Sequence, residues 1–387
     1  MIKITLRKNL LYLLVLYVTY ILRTIISIII KNVFNFSDPY IFLFVMALGI
    51  FIGGLTLYLY HIISFKSKKG AKYFKLDLIY NKINYKAKDG IIKKIILIFL
   101  AAFFDFYEFI LISFYIPSIL EITPAFNSKL GGLSTISSSL ICIYALRFKI
   151  GKHHKFSMIG LSICLCLTLI IEIIFKSGDE SIDRLLFGHF LLCLYLINLT
   201  FTDCTERYLV DFNFLNPFFI LMIEGIFEFI FATFYSLNND PFKEILNQYE
   251  HNSTGKFILF IFLLFIYFLL TALVNVYKIY CNCFYTPMAK SFVDYFFNPF
   301  LNIYYFISGK DFINNFLYFF MSEIVCILAD FFCCIYNEFI IVSYCGLEYD
   351  TKDEISKRAL EIGLNTIIDD EDDHNDHDTI NSNENNN

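Results

Sequence analysis

Long apolar runs separated by short polar ones dominate the chain. A helix that crosses a bilayer needs roughly 20 mainly apolar residues. Ten stretches approach that length: Leu10 to Ile30, Tyr40 to Ile63, Ile95 to Ile116, Leu130 to Leu146, Met158 to Phe175, Leu185 to Phe201, Phe214 to Tyr235, Phe257 to Tyr277, Met288 to Ile307 and Phe312 to Tyr336. The pattern predicts an all-α, polytopic membrane protein with ten transmembrane helices. The first run follows Lys3, Arg7 and Lys8, is long, and has no small-residue cleavage site after it, so it reads as an anchor rather than a cleaved signal. The second carries Gly49-x-x-x-Gly53, a spacing that lets helices approach closely.

The polar breaks give a topology. Phe65 to Lys94 holds ten Lys against Asp77 and Asp89, which places this loop in the cytosol. The turn between the fourth and fifth runs is also basic, with Arg147, Lys149, Lys152, His153, His154 and Lys155. Ten crossings then leave both termini cytoplasmic. The sequons at Asn35 and Asn252 fall on the outer side and are candidate glycosylation sites; a third, at Asn198, lies inside the sixth run and is expected to be inaccessible. Asn238 to Gly255 is expected as a polar loop, and Phe339 to Leu347 as a short interfacial segment.

Composition sharpens this picture. Hydrophobic residues make up 57% and charged residues 17% of the 387, against about 25% charged in soluble domains, and mean hydropathy is +0.61. From Gly346 onward 13 acidic residues face 3 basic ones, leaving 28 basic and 23 acidic in the remainder, a net of +5. The chain therefore divides into a mildly basic membrane domain, residues 1–347, and an acidic tail, residues 348–387, most of it expected to be disordered. No arginine-rich patch suits nucleic acid. Most of the 11 Cys lie in apolar runs, so packing rather than a disulfide framework is expected. No nucleophile–base set, zinc-ligand spacing or cofactor motif appears, and an enzyme is not expected.

Candidate chemistry lies in the charges within the apolar runs. An ionisable group at the bilayer centre costs about 2.5–3.5 kcal/mol on insertion scales, and such groups normally face a bundle interior or a cavity. Asp105 and Glu108 are three residues apart and Glu224 and Glu228 four apart, so each pair shares a helix face. With Asp294 they form the candidate set for substrate binding or proton coupling. Glu172, Glu323 and Asp330 are further carboxylates with a bland packing reading, and Arg23 is a candidate ion-pair partner. Lys129, Lys278 and Lys290 sit near helix ends, where they are expected to snorkel to the interface. His189 is expected to hydrogen-bond between helices, and Ser137, Ser138 and Ser139 to serve close helix packing or to line a polar cavity.

Residues 129–165 combine a small-residue helix (Gly131 to Ser139), a bulky apolar end (Tyr144 to Leu146), a basic turn (Lys149 to Lys155) and an early helical glycine, Gly160. This pattern resembles the fourth and fifth helices of the drug/metabolite transporter superfamily, EamA-like and distantly related to nucleotide-sugar transporters. Tyr285-Thr286-Pro287-Met288-Ala289-Lys290-Ser291 resembles the start of that family's ninth helix. The end, Tyr336 to Ile341 and then Cys345-Gly346-Leu347, looks like a protist or invertebrate branch. The resemblance implies two inverted five-helix repeats, here about residues 9–176 and 184–347. Phe-Tyr-Asn-Asn and Gly-Ala-Leu-Asn-Lys, motifs of some nucleotide-sugar carriers, are absent.

The expectation is a secondary transporter or exchanger of a small polar metabolite, working by alternating access in the endomembranes or plasma membrane. The carboxylate-rich interior favours a cationic or neutral substrate, or proton coupling. A non-transporting complex subunit or receptor is the alternative. The bilayer is the expected partner, the small-molecule substrate is unspecified, and a homodimer stays open.

Overall fold

The computed structural model describes residues 2–4, 10–36, 38–66, 89–116, 132–147, 150–176, 182–236, 241–284, 316–344, 346–351, 354–355 and 357–358. Among them, ten α-helices form: α1 (Leu10–Phe34), α2 (Pro39–Lys66), α3 (Ile91–Ile110), α4 (Gly132–Leu146), α5 (Lys152–Lys176), α6 (Ile182–Asn213), α7 (Pro217–Tyr235), α8 (Pro241–His251), α9 (Thr254–Phe284) and α10 (Phe316–Tyr336). Eight of these are long and apolar enough to cross a membrane; α4 is shorter, and α8 is a short amphipathic helix. The protein is a multi-pass integral membrane protein. A π-helical stretch, Leu111–Tyr115, prolongs α3. Two three-residue strands, β1 (Ile2–Ile4) and β2 (Ile340–Val342), pair antiparallel with Ile2 opposite Val342 and Ile4 opposite Ile340.

Three of these elements differ from the expectation. The helix expected over Leu185 to Phe201 runs on to Asn213, because nothing between them breaks it. It stops where Phe214 turns to φ +52° and Asn216 caps the next helix: its side-chain oxygen accepts from the Phe218 and Phe219 amides at 2.9 and 3.4 Å, with Pro217 in the first helical position. The expected polar loop before α9 contains α8. The expected interfacial segment contains β2, satisfied by a strand from the other end of the described chain. The run expected at Met288 to Ile307, Asp294 included, lies outside the described residues.

Contacts between helix ends sort them onto two faces. On one, His61 meets Asn216 at 2.9 Å, Asp89 meets Asn213 at 2.9 Å, the Lys152 amide donates to Asp350 at 3.0 Å, and β1 lies beside β2. Lys93, Arg147, Lys152 and Lys155 are also on this basic face. On the other, Gln248 donates to the Phe34 carbonyl at 3.1 Å, and Tyr40, Phe114 and Tyr235 stack edge-on or tilted within 5.1–5.8 Å.

Between the faces, α2 packs along α7 and α9, α1 along α9, α3 along α6 and α7, α4 along α6, and α5 along α10. Lipid tails are as apolar as Leu, so close packing and interhelical hydrogen bonds, rather than the hydrophobic effect, hold such helices together. Glycines set the closest approach. A Cβ on Gly54 of α2 would lie 2.5 Å from the Met222 nitrogen, and one on Gly225 of α7 would lie 2.4 Å from the Phe51 nitrogen. Each glycine thus faces the residue three positions before the other, a reciprocal crossing. Gly49 and Gly53 are turned instead to Thr271 and Ala272 on α9, with nearest Cβ distances of 3.3 Å.

The α4–α5 hairpin is held by hydroxyls. Ser139 donates to the Tyr336 hydroxyl at 2.7 Å, and Ser137 and Thr200 share a hydrogen bond of 2.9 Å, tying α4 to α10 and α6. Gly160 on α5 lies against the Phe332 ring.

Candidate functional site: a carboxylate cluster around Lys278

Lys278 lies six residues before the end of α9, and its side chain does not run to the interface. It is 8% exposed and turns into the bundle. Its ammonium lies 2.9 Å from Asp105 Oδ1 and 3.6 Å from Asp203 Oδ1. The expected snorkelling is corrected by these ion pairs. An ammonium in a helical bundle gains more from two carboxylates at hydrogen-bonding range than its short reach to the headgroups offers.

Four helices converge on this lysine. α3 supplies Asp105 and Glu108, α6 supplies Asp203 and Glu206, α7 supplies Glu224 and Glu228, and α9 supplies Lys278 and Asn282. All six carboxyl groups interact electrostatically with Lys278 or with one another. Glu206, Glu224, Asp203 and Glu228 are buried, the last at 1% exposure, and the Asp105 side chain is 15% exposed. Glu228 also faces Asp105. At 1.5 Å rise per residue, Glu224 is about 10 Å from the basic-face end of α7, and Glu228 is about 10 Å from the opposite end. Asp105 sits about 15 Å from the π-helical end of α3. The cluster therefore reaches from the middle of the span, at Asp105, Glu224 and Glu228, towards the basic face, where Lys278 and Glu206 lie within two turns of their helix ends.

Asn282 and Arg207 organise the side towards the basic face. The Asn282 amide donates to Asp203 at 3.2 Å and to Glu206 at 2.6 Å. The Arg207 guanidinium pairs with Asp211 at 2.6 Å and donates to the carbonyls of Asn282, at 2.6 Å, and Cys283. These are terminal carbonyls of α9 that have no intrahelical partner, so Arg207 caps that helix and complements its dipole.

Towards the opposite face, an aromatic layer packs beside the carboxylates. Phe106 follows Asp105, and Phe231 lies one turn after Glu228; their rings are 5.5 Å apart, and Phe106 meets Tyr235 at 6.1 Å. Leu43 and Ala232 fill the same layer.

The chemistry follows from charge. Among the described residues, with every carboxyl ionised, six negative charges would face one lysine in a low-dielectric interior, an arrangement that repulsion opposes and that protons or a cation would relieve. Acceptors stand ready for either. Glu224 Oε1, Glu228 Oε2 and Asn282 Oδ1 are buried and make no hydrogen bond among the described residues.

Of the residues singled out from the sequence, Asp105, Glu108, Glu224 and Glu228 are brought together here, although α3 and α7 are more than a hundred residues apart. Arg23 is elsewhere: its guanidinium lies over the Tyr20 ring at 4.9 Å, near Tyr267. Glu323 and Asp330 lie two turns apart on α10, outside the cluster. Asn198 is buried within α6. Asn35 is exposed in the α1–α2 turn, and the Asn252 amide donates to Gln248 at 2.8 and 3.0 Å after α8. Asp203, Glu206 and Arg207 are the residues that pattern reading misses.

Compared with protein-family models and with curated proteins, the sequence matches none.

Proposed function

We propose that the protein is a secondary transporter or exchanger of a small polar solute, cationic or neutral, whose movement is coupled to protons at the Lys278 cluster. The observation that carries the reading is the convergence of six carboxyl side chains on one buried lysine within the span. Intramembrane ionisable groups of this kind mark ion and proton pathways. Glu224 and Glu228 serve as the proton acceptors, Asp105 and Lys278 as the switchable ion pair, and Asp203, Glu206 and Asn282 as the rim towards the basic face. The aromatic layer of Phe106, Phe231 and Tyr235 closes the route to the other face.

The drug/metabolite transporter resemblance belongs to the same proposal, and the packing supports its two inverted repeats. Exchanging α1 with α6, α2 with α7, α3 with α9 and α5 with α10 carries the α1–α9 pair onto α6–α3 and the α2–α9 pair onto α7–α3. The same exchange leaves the α2–α7 and α5–α10 pairs in place. The reciprocal Gly54–Gly225 crossing obeys it too, since Phe51 and Gly54 stand to Met222 and Gly225 as one repeat to the next. In this reading the basic face is cytosolic, and so are both termini.

The test is uptake by proteoliposomes under an imposed pH gradient, screened over amines, organic cations, sugars and nucleotides. Gradient-driven accumulation of at least one class, abolished by Glu224→Gln with Glu228→Gln, is expected. Absence of accumulation in every class, or equal accumulation by the variant, refutes the proposal and favours a non-transporting membrane subunit.

A further inference from the structure

A second cluster stands on the basic face, where α5 begins and α10 ends. One ligand atom from each of His153, His154 and Glu338 lies within 4.8 Å of the others. His153 and Glu338 are 3% and 4% exposed. His153 Nε2 and Glu338 Oε1 are 3.4 Å apart. Two ligands held tetrahedrally at the 2.0–2.1 Å typical of zinc stand about 3.3–3.4 Å apart. We propose that His153, His154 and Glu338 form a binding site for a divalent transition-metal ion of the zinc class, with a fourth position left for water.

Three further observations point to a ligand. Both ring nitrogens of the buried His153 make no hydrogen bond among the described residues, although buried polar atoms normally find partners. Glu338 stands in the left-handed region at φ +59°, at the helix-ending position that usually takes Gly or Asn; there its amide donates to Ile335 and that of Phe339 to Cys334. A carboxylate held at that strained position is directed at the two imidazoles. Thirdly, the turn is built tightly around them. A Cβ on Gly151 would fall 2.7 Å from Asp350 Cβ and 3.0 Å from His153 Cε1.

The rings of His153 and His154 are 3.8 Å apart, and His154 packs edge-on to Tyr336 at 4.8 Å. His154 Nδ1 now accepts a long hydrogen bond, 3.2 Å, from the Gly151 amide. Ligation through either of its nitrogens requires that contact to open, so metal binding and the turn conformation are linked. The ligands come from the α4–α5 turn and from the end of α10. A bound ion would therefore staple α5 to α10, in the manner of a structural or regulatory site rather than a catalytic one.

The purified full-length protein, loaded with Zn2+ and desalted, is the material for the test, with bound metal measured by mass spectrometry. About one ion per chain is expected. Retention should fall by at least about tenfold in His153→Gln and in Glu338→Gln, and stay unchanged in His374→Gln with His377→Gln, which removes the competing histidines of the acidic tail. Equal retention by the His153 and Glu338 variants, or loss only in the tail variant, overturns the proposal. Should either site variant fail to fold, Co2+ added to the wild-type protein decides: intense visible absorption of a tetrahedral N/O set supports the site, and the weak spectrum of six-coordinate Co2+ overturns it.

Discussion

Replacing Lys278 with Met removes the ammonium that Asp105 and Asp203 face at 2.9 and 3.6 Å. At an effective dielectric of about 20, the nearer contact is worth about 6 kcal/mol of gross attraction. Desolvation offsets much of that, but removing one partner leaves the cost of the other, about 3–5 kcal/mol for a buried pair. The Asp105 side chain is 15% exposed, so the low end, about 3 kcal/mol, is expected here. Asp105→Asn in the same chain removes the stranded charge and should restore about 1–3 kcal/mol. Reversible unfolding in mixed micelles, with the four members of the double-mutant cycle compared, measures this. If Lys278→Met costs less than about 0.5 kcal/mol, the range of unremarkable surface changes, or if Asp105→Asn does not relieve it, the ion pair within the span is refuted.

Other consequences are equally concrete. Gly225→Ala drives a Cβ to 2.4 Å from the Phe51 backbone and should destabilise by about 1–3 kcal/mol. Gly49→Ala meets the Ala272 backbone nitrogen and the Thr271 methyl at 3.3 Å and should cost less than Gly225→Ala, offset by about 1 kcal/mol of helix propensity; the same micelle titration checks both. Phe106→Ala with Phe231→Ala opens the aromatic layer and should raise passive proton leak in pyranine-loaded vesicles, whereas a leak equal to wild type removes the layer from the gate. Asp89, outside the spans, is held down at about 2 by hydrogen bonds from Lys93 and Asn213. Because its folded value lies below the ordinary one of about 3.9, its contribution is complete above that pH and is lost as pH falls through about 2. Hydrogen exchange at the Asp89 amide, which donates to Asn213 at 2.9 Å, should stay protected from neutral pH to about 4 in wild type and be faster throughout in Asn213→Ala.

The sequence makes the spanning helices legible because each is a long apolar run, and helix spacing alone pairs Glu224 with Glu228. It conceals the other half of the site for identifiable reasons. Hydropathy falls after Phe201, which in the sequence reads as the end of α6, yet no Gly or Pro interrupts it before Pro217. Asp203, Glu206, Arg207 and Asp211 recur at three- and four-residue steps, the signal of a helix that continues with a polar face. Lys278 sits close enough to a helix end to suggest snorkelling; only its three-dimensional neighbours decide otherwise. The pairing of β1 with β2 joins residues more than 330 apart, and no local pattern announces it. The His153–Glu338 approach is hidden in the same way, since two adjacent histidines and a remote glutamate form no motif.

The central claim is that the carboxylates around Lys278 exchange protons as solute moves. Proteoliposomes loaded with a pH-sensitive dye, given an inward gradient of the best solute from the screen, test it most directly. Wild-type protein is predicted to change internal pH in step with solute entry, and Glu224→Gln with Glu228→Gln to abolish that change. Solute entry with no proton movement in wild type, or unaltered proton movement in the variant, would contradict the account.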